Sequence, residues 1–194
     1  MKKIATFISI IGHPLLTIPL FILIVLFGNE DSSRAAPISF LIIGCVFIPV
    51  TIRLYIKSRN GSYTNFDVSD KIQRRSLYLF VVPLLLIVTI ILFATNQSRN
   101  LCLGVLFALL LLILSQAINY FVKSSLHVSL NIYLSALIFT VNFKAGVAAL
   151  LFTGLISWSR VKLGRHSVKE VLFGLLIGTI ISLILLKLEG YISF

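Results

Sequence analysis

Leu77–Thr95 reads LYLFVVPLLLIVTIILFAT, and Leu101–Phe121 reads LCLGVLFALLLLILSQAINYF. Neither run holds a charged residue, and each approaches the roughly 20 residues a helix needs to cross a bilayer core of about 30 Å. Period-two alternation, the mark of a lipid-facing strand, is absent from both, so the backbone polar groups must be satisfied inside helices. Further apolar runs flank this pair at Ile4–Phe27, Ile38–Ile56, Leu126–Val141, Ala145–Val161 and Val168–Leu186. The pattern predicts an all-α, polytopic membrane helical bundle of about six to seven transmembrane helices. It predicts a single integral membrane domain over residues 1–194, with little chain left for a soluble domain.

Composition agrees. Of 194 residues, 58% are hydrophobic and 12% are charged, and mean hydropathy is +1.06. Soluble domains carry about 25% charged residues, so an ordinary cytosolic enzyme, a disordered chain and a secreted disulfide scaffold are all excluded. Seventeen Lys and Arg against six Asp and Glu give a net charge of +11. Those basic residues sit between the apolar runs, which points to anionic head groups or phosphate substrates and away from nucleic acid. Cys45 and Cys102 lie inside apolar runs without metal-ligand or disulfide spacing, and read as packing residues. Pro14 and Pro19 interrupt the first run, predicting a kinked, retained helix and not a cleaved leader.

Alternating direction across seven spans gathers thirteen of the seventeen basic residues on one face; Arg34, Arg99, Lys144 and Lys187 fall on the other. That first face also receives the polar segment Lys57–Arg75, the junction Val122–Leu126 and the junction Ser157–Ser167. Two of these carry chemistry. In Ser159–Glu170, Gly164 permits a turn, and His166 and Glu170 stand at i and i+4 if the last helix opens near His166. A carboxylate there takes the Nδ1 proton of the imidazole and leaves Nε2 as nucleophile or base. Arg160 offers a planar fork for phosphate oxygens. In the second stretch, Lys123, His127 and Asn131 recur at four-residue steps. Ser124, Ser125 and the open N–H groups of a helix start suit an oxyanion, with His127 as a proton donor.

Ser159-Arg160, five residues, His166, three residues and Glu170 resemble the third signature of the type 2 phosphatidic acid phosphatase superfamily, Ser-Arg-x5-His-x3-Asp. Ser124-Ser125-Leu126-His127 is similar to its second signature, Pro-Ser-Gly-His, at the Ser and His positions. The first signature, Lys-x6-Arg-Pro, has no strict counterpart; Asp67–Arg75 occupies its place with Lys71, Arg74 and Arg75. The resemblance covers roughly residues 67–178 and implies a phosphatase-like core at about 67–188. Glu170 stands where the family has Asp, one methylene longer, and Leu126 stands where it has Gly.

The resemblance implies a membrane phosphatase that hydrolyses a lipid phosphate monoester or isoprenoid diphosphate through a phosphohistidine. His166 is then the nucleophile, Glu170 orients it, and His127 protonates the leaving oxygen and activates water. Arg160, Ser125, Lys123 and one or more of Lys71, Arg74 and Arg75 hold the phosphoryl oxygens. The family needs neither cofactor nor metal, in keeping with a sequence that lacks clustered carboxylates for Mg²⁺. Expected partners are the lipid substrate and the bilayer, with oligomeric state left open. Expected placement is a multi-pass protein of a bacterial cytoplasmic membrane. The excess of positive charge puts the site on the cytoplasmic side, although the superfamily commonly faces outward. Two other readings stay open: a catalytically inactive member that binds lipid phosphate, and a small membrane transporter, whose ionisable residues would lie nearer mid-bilayer. Gly174-Leu175-Leu176-Ile177-Gly178 predicts close helix packing. His13, beside Pro14, reads as a packing or helix-distorting residue.

Overall fold

A computed structural model describes residues 1–64, 66–68 and 70–193, and among these the chain forms helices and turns without a strand. The helices are α1 Lys2–Ile11, α2 Pro14–Asn29, α3 Ser32–Ile42, α4 Ile48–Arg59, α5 Lys71–Ala94, α6 Arg99–Asn119, α7 Leu126–Val141, α8 Phe143–Lys162 and α9 Val168–Leu188. A π-helical turn, Ile43–Phe47, joins α3 to α4. All seven apolar runs are thus helical. Local chemistry sets the starts. Asp70 caps α5, its carboxylate accepting the N–H groups of Ile72 and Gln73 at 2.9 Å. Asn142 caps α8 through Ala145 N–H at 3.0 Å and is the one residue between α7 and α8. Gly12 and His13 break the first run, with Pro14 at the first position of α2, where its missing N–H costs nothing. The axes of α1 and α2 meet at 45°.

Among the described residues, four helical segments are long and apolar enough to cross a membrane: Ser32–Arg59, Lys71–Ala94, Arg99–Asn119 and Val168–Leu188. The bent pair α1 and α2, taken as one, makes five. The sequence pattern predicts six to seven. The difference lies in α7, which has only 16 residues, and in α8, which carries Lys144, Arg160 and Lys162 within its 20. The outward faces remain apolar: Leu79, Ile87 and Ile90 on α5 and Leu172, Leu176 and Ile184 on α9 are exposed. Such continuous apolar surface is foreign to a protein surrounded by water.

The chain divides into two compact units, Met1–Ala35 with Ser124–Phe194, and Ala36–Lys123. The core expected at 67–188 therefore contributes to both. In the first unit α7 is central, packed by α2, α8 and α9, while α1 lies on α8. Val128, Ile132 and Val171 form one apolar cluster with Leu175; Phe21, Leu134 and Ile138 form another. The Gly174–Gly178 pattern presses α9 onto the start of α7. A Cβ at Gly174 would stand 2.6 Å from the Ser125 carbonyl oxygen, and one at Gly178 would stand 2.8 Å from that of Ser129. In the second unit α5 pairs with α6, and the π-helical turn packs on α5.

Candidate functional site

The first unit brings three stretches of sequence together around the starts of α7 and α9. Between α8 and α9 the backbone turns at Gly164, whose φ of 66° lies in the left-handed region that favours glycine. The Arg160 carbonyl accepts the N–H groups of both Arg165 (3.0 Å) and His166 (3.3 Å), closing the loop so that Arg160 and His166 lie side by side in the backbone. Helix α9 then opens at Val168, two residues later than the sequence suggested, because Ser167 caps it. Ser167 Oγ accepts Glu170 N–H while the Glu170 carboxylate accepts Ser167 N–H, a reciprocal capping box.

The Glu170 carboxylate has a second task. Its Oε2 lies 2.7 Å from His166 Nδ1. The extra methylene relative to Asp does not prevent the contact. With Nδ1–H donating to the carboxylate, the neutral imidazole carries its lone pair on Nε2. The His166 ring is shielded from solvent, while Glu170 keeps 20% of its side-chain exposure. Glu170 therefore fixes the helix start and the tautomer of the imidazole with one carboxylate.

The second stretch is tied to the first through the backbone. Ser125 N–H donates to the Glu170 carbonyl at 3.0 Å, and the absence of a side chain at Gly174 permits that approach. Ser124, Ser125 and His127 are all buried. Ser125 is the residue before α7 but its hydroxyl does not cap the helix; buried, Ser125 Oγ has no hydrogen-bond partner among the described residues. A buried hydroxyl left over at a helix N-terminus is a group suited to an anionic oxygen. Asn131, one turn beyond His127, donates from Nδ2 to the His127 carbonyl at 2.7 Å.

Arg160 is wholly buried, and its Nη1 donates to Ser9 Oγ at 3.0 Å. A guanidinium removed from water is costly unless it binds an anion or a full set of acceptors. Ser9 was invisible as a site residue in the sequence, since it lies 151 positions away. The capping box is visible in the sequence: Ser167-x-x-Glu170 is its signature.

The remaining expected residues belong to the second unit, where they do different things. Arg74 is buried, and its Nε donates to the Val68 carbonyl at 3.3 Å. Val68 holds a φ of 46°, an uncommon conformation for a β-branched residue. Lys71 Nζ donates to the Tyr120 carbonyl at 2.9 Å, and Arg75 lies over the Tyr120 ring, 4.3 Å from its centroid. Arg75 also lines a groove of about 410 Å³ with Arg53, Ile72, Ser76, Leu79 and Phe80. Arg74 and Arg75, adjacent in sequence, thus point to different faces of α5. Lys123 closes this unit and is half-buried. Neither a family model, nor a curated protein, nor a solved structure matches this chain.

Proposed function

We propose that the chain is a membrane phosphatase of the type 2 phosphatidic acid phosphatase kind, acting on a lipid phosphate monoester or an isoprenoid diphosphate. The observation that carries this reading is the bond from Ser125 N–H to the Glu170 carbonyl, which joins the two motif-bearing stretches. Residues that the sequence separates by more than thirty positions then share one end of the α7, α8 and α9 group. Counting α7 and α8 as crossing segments gives seven spans. The burial of ten of the sixteen residues of α7 is compatible with this, because a helix packed among other helices need not match the hydrocarbon thickness.

In this reading His166 Nε2 attacks phosphorus as the bond to the leaving oxygen breaks. Glu170 holds Nδ1–H and stabilises the charge that the ring gains. His127 gives its proton to the leaving oxygen. It then takes a proton from the water that attacks the phosphohistidine, so that phosphate leaves and both rings return to their starting states. Arg160 and the Ser125 hydroxyl hold the phosphoryl oxygens, where charge develops during transfer. The chemistry comes from these side chains, so no metal is assigned. A lipid tail in the bilayer and a phosphate at its surface fit a chain in which apolar helices dominate.

The test is phosphate release by the purified protein from a panel of lipid phosphates and isoprenoid diphosphates, beside His166→Ala. Turnover by the wild type, its loss in the variant, inhibition by vanadate and persistence in EDTA are expected. Full activity of His166→Ala, or activity abolished by EDTA and restored by Mg²⁺, would sink the mechanism.

A further inference from the structure

Three contacts connect the break between α1 and α2 to the site. Ser9 Oγ accepts from Arg160 Nη1 at 3.0 Å. The Gly12 carbonyl accepts Asn131 Nδ2 at 3.3 Å, and the same amide nitrogen holds the His127 carbonyl. The His13 ring stands edge-on to the His127 ring, with centroids 4.9 Å apart and planes at 86°. The sequence alone offered His13 only a packing or helix-distorting part.

His13 is itself held firmly. It is the residue before α2, in extended conformation, and its Nδ1 accepts Leu15 N–H at 3.1 Å. Pro14 follows and restricts the backbone on either side of the bond. Because Nδ1 accepts, the neutral ring carries its proton on Nε2. His127 has a different need. The second side-chain torsion of histidine is broad, yet an acid–base group must lie within about 2.6–3.2 Å of the oxygen it serves. An aromatic neighbour fixed by its own backbone selects one orientation of that ring.

We propose that His13 is a positioning residue for His127, and that the α1–α2 break is part of the site although it lies outside the stretch that resembles the phosphatase family. This rests on the phosphatase reading for its kinetic consequence. His13 holds the His127 ring where it can deliver a proton to the leaving oxygen and later accept one from water. Asn131 fixes the backbone of the same residue from the Gly12 side.

Two substitutions in the full-length protein separate the ring from the cap. His13→Asn keeps a favoured capping side chain and removes the ring; His13→Phe keeps an aromatic edge and loses the Nδ1 acceptor. Misplacement of a reacting group by about 1 Å costs about 100-fold. His13→Asn is therefore expected to lower kcat on an alkyl phosphate by about 10- to 100-fold with KM little changed. The pre-steady-state burst of para-nitrophenol from para-nitrophenyl phosphate, whose leaving group departs without a proton, should change much less. His13→Phe should recover much of the rate. Wild-type rates in His13→Asn on the alkyl substrate would overturn the proposal, as would an equal loss in the para-nitrophenol burst, which signifies general damage. Spectra of isotope-labelled histidine, with the His127 ring assigned by its absence in His127→Gln, read positioning without activity. One His127 ring environment in the wild type, lost in His13→Asn and regained in His13→Phe, supports the proposal; an unchanged His127 signal in His13→Asn overturns it. If the wild type releases no phosphate from any of these substrates, the phosphatase reading falls, while these spectra still decide whether His13 positions His127.

Discussion

Replacing Glu170 with glutamine isolates one of the two tasks this carboxylate performs. Glutamine is acceptable in a capping box, so Ser167 and the start of α9 keep their reciprocal bonds. What disappears is the charge 2.7 Å from His166 Nδ1. Hydrogen bonds to charged groups contribute about 1.5–3 kcal/mol, and about 1.4 kcal/mol corresponds to tenfold in rate. Because Glu170 keeps 20% of its exposure, solvent shares its charge, and the lower half of that range applies. The expected fall in kcat is about 10- to 50-fold. It should appear in kcat and not in KM, since the imidazole gains positive character only as phosphorus is transferred. The assay is steady-state phosphate release from one lipid phosphate in detergent, with circular dichroism and thermal unfolding on the same preparations. Glu170→Ala supplies the contrast: it removes the capping interaction as well, which costs about 0.3–1.5 kcal/mol of stability, and should unfold at lower temperature. A Glu170→Gln protein as fast as the wild type would refute the pairing. So would a loss confined to KM, since the carboxylate would then act on substrate binding.

Gly174→Ala places a methyl group 2.6 Å from the Ser125 carbonyl oxygen, a backbone atom that cannot swing aside. It should lower the unfolding temperature through about 1–3 kcal/mol of overpacking and impair activity, because α9 must leave the start of α7. Gly154→Ala on α8 meets nothing within 4 Å and should leave the unfolding temperature unchanged or raise it; equal behaviour of the two variants would contradict the close packing. For sidedness, Lys144→Cys and Lys162→Cys mark opposite ends of α8, in a background without Cys45 and Cys102. With the site end cytoplasmic, an impermeant maleimide should label Lys144→Cys in intact cells and reach Lys162→Cys only after permeabilisation. The reverse pattern would show that the site faces outward and that basic residues gather there for phosphate binding alone.

The sequence by itself determined the class of structure. Uncharged runs such as Leu77–Thr95 leave helix as the one arrangement that satisfies the backbone in hydrocarbon, and helix is found in all seven apolar runs. It also brought His166 and Glu170 together through their four-residue spacing, although His166 precedes the Ser167 cap and lies outside α9, and it showed the turn at Gly164, where φ is positive. The number of crossing segments was less legible. A hydropathy pattern cannot tell a lipid-facing helix from α7, which is short and buried by its neighbours. The rest of the site was decided by tertiary structure, for a physical reason: contacts between distant segments leave no periodic trace. Nothing in Ser9, Gly12 or His13 announces Arg160, Asn131 or His127, and it is the packing of α1 on α8 and of α2 on α7 that brings them together. The same holds for the adjacent pair Arg74 and Arg75, equivalent in composition. One turns inward to the Val68 carbonyl and the other lies across Tyr120, because neighbouring residues on a helix are about 100° apart.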